Sequence, residues 1–301
     1  MTTPNHSASS PSTSTTTSTT QSFNGGAQDV INAALRFSSA ADIENVLNFY
    51  KGNRHQHVHI RDEALLASRV RDGHFLILQD KDTGEVLASS GSYDYTVTGD
   101  TDRASYAEIG STRFSDKVAG FGLYPLFIAS QVVHGMLGRP PKKMYIANVY
   151  DDSPVGREML TKKVGWNVIN ATPDIIETFL KTKDPSTKGD MRPMTWYGSP
   201  ASCLPHESRV ILGYLATPQI KHKKLDCVLN IDMSGFDLAN KYNPHLKSLA
   251  SGQWDSLMSD EHGKNMLDLQ GVSAMLHTIH NTGHNTGFAD KTGRRYGYKP
   301  S

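Results

Sequence analysis

Residues 116–134 read "DKVAGFGLYPLFIASQVVH". Gly120 and Gly122 stand one residue apart, and a long apolar run follows almost at once. Two physical readings fit the pair. Glycine enters left-handed backbone without a Cβ penalty, so the pair suits a tight turn between a strand and a helix. Glycines at a helix start also let backbone N–H groups approach an anion. Those first amides lack intrahelical partners and lie at the positive end of the peptide dipoles. On this second reading the backbone of Val118, Ala119, Gly120, Phe121, Gly122 and Leu123 cradles a phosphate, with the Lys117 ammonium as an added charge. Pro125 is compatible with either reading, since the N–H it lacks would be unpaired in a first helical turn.

The flanking sequence supplies a context for the pair. Residues 29–50 hold two short amphipathic patterns, and in the second Ile43, Val46, Leu47 and Tyr50 share one helical face. "RDEALLASRVRDG" predicts another short helix ending at Gly73. "HFLILQD", the turn "KDTG" and "EVLASSGSYDYTV" predict a hairpin, and "YAEIGSTRF" a third strand that runs into the glycine pair. Beyond the apolar helix, "MYIANVY" predicts a strand, "DDSPVGREMLTKKVG" a helix and "WNVINAT" a further strand. From Asp42 the expected order is therefore helix, helix, three strands, helix, strand, helix, strand. Residues 173–198 are expected as a short helix and a loop. "SRVILGYLA" and "LDCVLNIDMS" are expected as strands, and "GVSAMLHTIHN" as a helix.

Composition narrows the function classes. The chain has 301 residues, 20% of them charged, and a formal net charge of +1, which gives no footprint for a nucleic-acid partner. Its two cysteines, Cys203 and Cys227, imply neither a disulfide scaffold nor a cysteine metal site, and suggest a reduced compartment. No apolar run reaches the roughly 18 residues a membrane span needs, and the N-terminus carries no basic-then-apolar signal. The expectation is a soluble, cytoplasmic protein with no membrane partner. Residues 1–28 are Ser/Thr-rich with almost no apolar side chains, and are expected as a disordered tail. Residues 29–200 are expected as the principal domain and 201–301 as a C-terminal extension.

Strand, glycine turn, apolar helix, strand, helix: this order resembles the GCN5-related N-acetyltransferase family over roughly residues 42–172. "KVAGFG" matches that family's cofactor signature in its glycine spacing, with Lys117 where Gln or Arg is usual. "MLTKKVGW" resembles the family's later segment, with Gly165 and Trp166 at its end. The resemblance implies a mixed α/β fold: a bent, mostly antiparallel central sheet flanked by helices. In it two central parallel strands splay and admit acyl-coenzyme A. It implies transfer of an acetyl or other acyl group from acyl-coenzyme A to an amine, with acetyl-CoA or another acyl-CoA as cosubstrate and no metal.

Such a transfer needs a base for the amine, polarisation of the thioester carbonyl and a donor to the leaving thiolate. By the resemblance Glu108 is the candidate base, and a solvated strand carboxylate is the alternative. The family's usual tyrosine falls on Thr161, or on Leu160 after a one-residue slip, so the acid is expected from Tyr150 or Tyr145, or from solvent. Asn148 and Ser153 are candidates for the pantetheine arm, and Ser153 equally for a helix cap. Tyr93, Tyr106 and His57 are candidates for the acceptor pocket. His55, His57 and His59 alternate as on one strand face, and His277, His280 and His284 recur at helical spacing, but neither trio includes an acidic or cysteine ligand. The acceptor is expected to be a small-molecule or protein amine. The last hundred residues are expected to complete or cover its pocket or to mediate a homodimer. A noncatalytic acyl-coenzyme A-binding protein on the same fold is the alternative function.

Overall fold

The computed structural model describes residues 29–53, 62–96, 105–137, 144–150, 158–164, 166–169, 193–198, 200–235, 246–247 and 250–251. Among them the chain runs β1 (Asp29–Phe37), α1 (Ile43–Gly52), α2 (Glu63–Arg71), β2 (Phe75–Asp80), β3 (Val86–Thr96) and β4 (Ser105–Phe114). It continues through α3 (Tyr124–Leu137), β5 (Met144–Tyr150), a π-helical turn (Met159–Lys163), β6 (Asn167–Ile169) and β7 (Pro193–Gly198). The last elements are α4 (Pro200–Ala216), β8 (Gln219–Lys221) and β9 (Cys227–Asp232). The strands form one curled sheet in the order β6-β7-β5-β4-β3-β2-β1-β9-β8. Its neighbours are antiparallel except for β4 with β5 and β1 with β9.

The sheet is covered on both faces, and β2 shows why its sequence is an unbroken apolar run. Phe75 and Ile77 pack with Val46, Phe49 and Tyr50 of α1 and Leu66 and Val70 of α2. Leu76 and Leu78 point the other way, into the cluster built on Leu126, Phe127 and Val133 of α3 and Leu204 and Ile211 of α4. α2 starts where the Asp62 carboxylate accepts from the Ala64 and Leu65 amides at 2.9 and 3.1 Å, and ends at Gly73, whose φ of +77° suits glycine.

Three expectations are corrected. The first amphipathic pattern is the strand β1, which the expected element order omitted. Ala33 and Leu35 are buried with period two, and β1 is bonded on both flanks, antiparallel to β2 and parallel to β9. Two ladders and burial outweigh the helix preference of its Ala and Leu residues. Residues 208–216, expected as a strand, are the second half of α4. An apolar run of this length fits a buried strand or a buried helix, and Leu204, Glu207, Ser208 and Ile211 are buried at helical spacing. Residues 193–198, expected within a loop, form β7, paired with β5 on one side and β6 on the other. Pro193 occupies the strand's first position, where a missing N–H is tolerated.

The turn from β1 into α1 is tied by one ion pair. The Asp42 carboxylate accepts from Arg36 Nη1 and Nη2 at 2.8 and 2.6 Å and from the Ser39 amide at 2.7 Å. Hydrogen bonding from Arg36 holds the Asp42 carboxyl below the usual carboxylate range. Asp42→Ala is expected to cost about 1–3 kcal/mol, because Arg36 loses a charged acceptor and the Ser39 amide is left open. A urea titration with a lowered midpoint and unchanged slope checks this. The folded pKa is the lower one, so this stabilisation is present above the unfolded carboxylate's pKa. It is lost as the pH falls through the folded value.

Candidate active site

β4 and β5 pair in parallel over Tyr106↔Met144, Ala107↔Tyr145 and Glu108↔Ile146. Past that rung no shared ladder joins them among the described residues. β4 continues to Phe114 beside β3, and β5 continues to Tyr150 beside β7. The two strands thus part at Glu108 and Ile146, and the gap opens toward the end where β4 enters the glycine turn. Among the described residues no strand pairs with either facing edge past that rung, which suits backbone N–H and C=O groups there to an extended ligand.

A bulge in β4 lies beside the gap. From the pair Ser89↔Arg113 to the pair Gly91↔Gly110, β3 advances two residues and β4 three. The extra residue accompanies Ser111, whose φ is +54°. Its left-handed backbone is held from two sides. The Tyr50 hydroxyl donates to the Ser111 carbonyl, and the Tyr93 hydroxyl bonds Ser111 Oγ at 2.8 Å. Burial raises the Tyr50 pKa above the usual phenol range, so Tyr50 remains a donor. Arg113 places its guanidinium 5.9 Å from the centroid of the Tyr50 ring.

Glu108 stands at the apex of the gap on this same face and is 3% exposed. Its Oε1 lies 3.3 Å from the Cβ position of Gly110, so the carboxyl is turned along β4 toward the bulge. Tyr93, opposite Glu108 in the register, is 2% exposed. The structure therefore brings together Glu108 and Tyr93. Tyr106 occupies β4, but its side chain lies outside the described residues.

The glycine turn is anchored by its apolar members. Val118, Phe121 and Leu123 are buried, while Ala119 and Gly120 are exposed. The Ser115 carbonyl accepts from the amides of Val118 and Ala119, and the Phe121 amide reaches the Val118 carbonyl. Among the described residues no carbonyl accepts from the amides of Gly120, Gly122, Leu123 or Tyr124. Gly120 and Gly122 have φ of +96° and +77°. Both readings of the pair thus have a physical basis: left-handed backbone demands glycine, and the same geometry leaves open amides at a helix start. Lys117 is turned aside. Its ammonium pairs with Glu85 of the β2–β3 turn, and that hydrogen bond raises its pKa.

The other expected residues are distributed as follows. Tyr145, Ala147 and Val149 are buried in the α3-side core. Tyr145 Oη lies 2.0 Å from the Cβ position of Gly135, a contact that places this ring under α3 and away from the gap. Positions 148 and 150 alternate with these on β5 and fall on the sheet face of Glu108, with the side chains of Asn148 and Tyr150 outside the described residues. Leu160 is fully buried and Thr161 half-buried in the π-helical turn. Ser153, His55, His57 and His59, and His277, His280 and His284, lie outside the described residues. Among the described residues no group of three or more His, Cys, Asp or Glu side chains could hold a metal ion. Among the same residues, no helix is long and apolar enough to cross a membrane.

Two features escaped the sequence reading. One is a contact on the glycine turn from the chain beyond α4. His222 Nε2 meets the Ala119 carbonyl at 2.9 Å, and the Tyr214 hydroxyl donates to the Gly122 carbonyl at 3.1 Å. The other is Glu207, a buried carboxyl on α4. Trp166 Nε1 donates to its Oε1 at 3.4 Å, and Oε2 has no partner among the described residues. Burial pushes the Glu207 pKa up to about 8. The folded pKa is raised, so this group favours the fold most below the unfolded carboxylate's pKa of roughly 4.3 and loses that contribution as the pH rises through the folded value. Glu207→Gln is expected to flatten the decline in stability between about pH 5 and pH 8, gaining more than about 1 kcal/mol over the unaltered chain at the upper end. Urea midpoints of both proteins across that window check this, and parallel curves would remove the assignment.

Strand order, the parallel splay and the helices on both faces define an acyl-coenzyme A N-acyltransferase-like fold. No family model matches the sequence, and no curated protein matches it. Solved structures similar to it include the Drosophila melanogaster polyamine N-acetyltransferase, an enzyme that catalyses the formation of N-acetylagmatine. It is 11% identical, with a TM-score of 0.39 over 56% of this chain and 99% of that one. NAA60 of Arabidopsis thaliana in complex with acetyl-CoA is 10% identical, with a TM-score of 0.42 over 56% and 98%. An N-acetyltransferase from Staphylococcus aureus Mu50 is 6% identical, with a TM-score of 0.40 over 56% and 97%.

Proposed function

We propose that this chain transfers an acetyl or other acyl group from acyl-coenzyme A to an amine. One observation carries the reading. The gap between β4 and β5 opens at the same end as a glycine turn with open amides, and a buried carboxyl, Glu108, stands at its apex. An extended, amide-bearing pantetheine arm suits the unpaired strand edges, and its pyrophosphate suits the turn.

In this reaction the amine nitrogen attacks the thioester carbonyl, and its proton passes to Glu108 directly or through one water. The tetrahedral intermediate collapses with cleavage of the C–S bond, leaving the amide and a thiolate. Tyr150, on the Glu108 face of β5, is the proposed donor to that thiolate. The acceptor amine, of a small molecule or a protein, enters from the side of Tyr93. Tyr50 and Tyr93, by fixing Ser111, keep the bulged backbone beside the reacting carbonyl.

A second reading, binding of acyl-coenzyme A without transfer, is favoured by Thr161, where the resemblance places a tyrosine, and by the apolar, fully buried Leu160 that a one-residue slip would put there. Thiol release from acetyl-CoA against a panel of amines, run with calorimetry on the same protein, separates the two. Release supports transfer. Binding without release on any amine supports the second reading, and no binding overturns both.

A further inference from the structure

We propose that the β8–β9 turn is the second half of the phosphate site, and that Lys223 is the cation that meets the pyrophosphate of the acyl carrier. This rests on the acyl-coenzyme A reading above. The turn reads Lys221-His222-Lys223-Lys224, three cations in four residues. It is not a loose surface hairpin. The His222 amide donates to the Cys227 carbonyl at 2.9 Å. Its ring Nδ1 accepts from the amides of Lys224 and Leu225 at 3.1 and 2.8 Å. With Nδ1 an acceptor, the neutral ring carries its proton on Nε2, which donates to the Ala119 carbonyl at 2.9 Å. The ring also stands edge-on to Phe121, with centroids 5.0 Å apart. A Cβ at Gly120 would lie 2.3 Å from His222 Nε2, so the two turns are one packed unit.

This packing aims a charge. Lys223 Nζ lies 3.9 Å from the Cβ position of Gly122, beside the open amides of Gly122 and Leu123. Among the described residues neither Lys223 nor Lys224 has a carboxylate partner, whereas Lys117 is paired with Glu85. The turn's acid, Asp226, lies on the β9 side, where its charge bears on the Cys227 thiol. Open amides and an unpaired ammonium at one spot are complementary to a pyrophosphate, and the ammonium adds charge where the amides add direction.

Calorimetry on the full chain tests this with two probes, coenzyme A and its 3′-dephospho form, for the unaltered protein, Lys223→Ala and Lys223→Glu. Lys223 is exposed, so both variants are expected to fold. Lys223→Ala is expected to weaken both probes alike, by about three- to tenfold, with a shallower salt dependence, and Lys223→Glu to weaken them further. Tight binding of the probes by all three proteins overturns the inference and leaves the acyl-coenzyme A reading standing. A loss seen with coenzyme A and absent with the 3′-dephospho form assigns the charge to the 3′-phosphate and overturns the pyrophosphate placement. No binding by the unaltered protein overturns both the inference and the reading beneath it.

Discussion

Glu108→Gln is expected to lower turnover about a hundredfold or more while leaving the Kd for acyl-coenzyme A within about twofold. Gln keeps the volume and one carbonyl acceptor, so the 3% exposed site stays filled and the register with Tyr93 is kept. What it removes is the ability to take the amine's proton. The loss belongs to turnover because, on the proposed reading, the carrier's phosphates bind at the far end of the gap, on the turn. A base also shapes the pH–rate profile, so the variant is expected to lose the limb that rises with pH. Steady-state kinetics across pH on both proteins are the check. Unchanged turnover with an unchanged profile would remove Glu108 from the chemistry and leave it a structural carboxyl.

Gly120→Asp acts at the other end. Its φ of +96° is backbone that L residues rarely adopt, and the new Cβ meets His222 Nε2 at 2.3 Å. Strain and displacement of the β8–β9 turn are expected to cost about 1–3 kcal/mol of stability. The added carboxylate also stands beside the proposed phosphate position, so the Kd for coenzyme A is expected to rise tenfold or more. Gly120→Ala shares the strain and the clash and lacks the charge, so the difference in affinity between the two variants isolates the electrostatic part. Equal affinities for folded Asp and Ala variants would sink the phosphate placement and leave the glycines as turn formers.

How far these positions could be read from the chain depends on the range of the forces that set them. The hairpin of β2 and β3, β4, the glycine turn, α3 and β5 all announce themselves locally. Apolar alternation, "KDTG" and the paired glycines are short-range signals. Glu108 was singled out by the family resemblance and not by any local signal, and the structure puts it where the strands part. β1 did not follow, because what makes "DVINAALRF" a strand is a partner about two hundred residues away. "SRVILGYLA" misled for a different reason: its apolar residues follow one another almost without a break, so the helical period that exposes Arg209, Gly213 and Ala216 is faint in the sequence. His222 carries no motif. Its only trace is a basic turn between two strands, and nothing in that trace points to Ala119. Glu207 gave no local signal either: its neighbours His206, Ser208 and Arg209 are polar, and only the packing of α4 buries it.

The pairing of β1 with β9 bears on how the chain comes off the ribosome. β1 is made about two hundred residues before β9, and its outer edge stays open until residues 227–232 have been synthesised. In the interval it is a row of unsatisfied N–H and C=O groups beside buried Ala33 and Leu35, the kind of edge on which nascent chains associate. The closing step joins distant parts of the chain and is intrinsically slow. A recombinant fragment cut after β7 would keep Glu108 and the glycine turn but freeze that vulnerable interval permanently. It is therefore expected to aggregate where the longer chain does not.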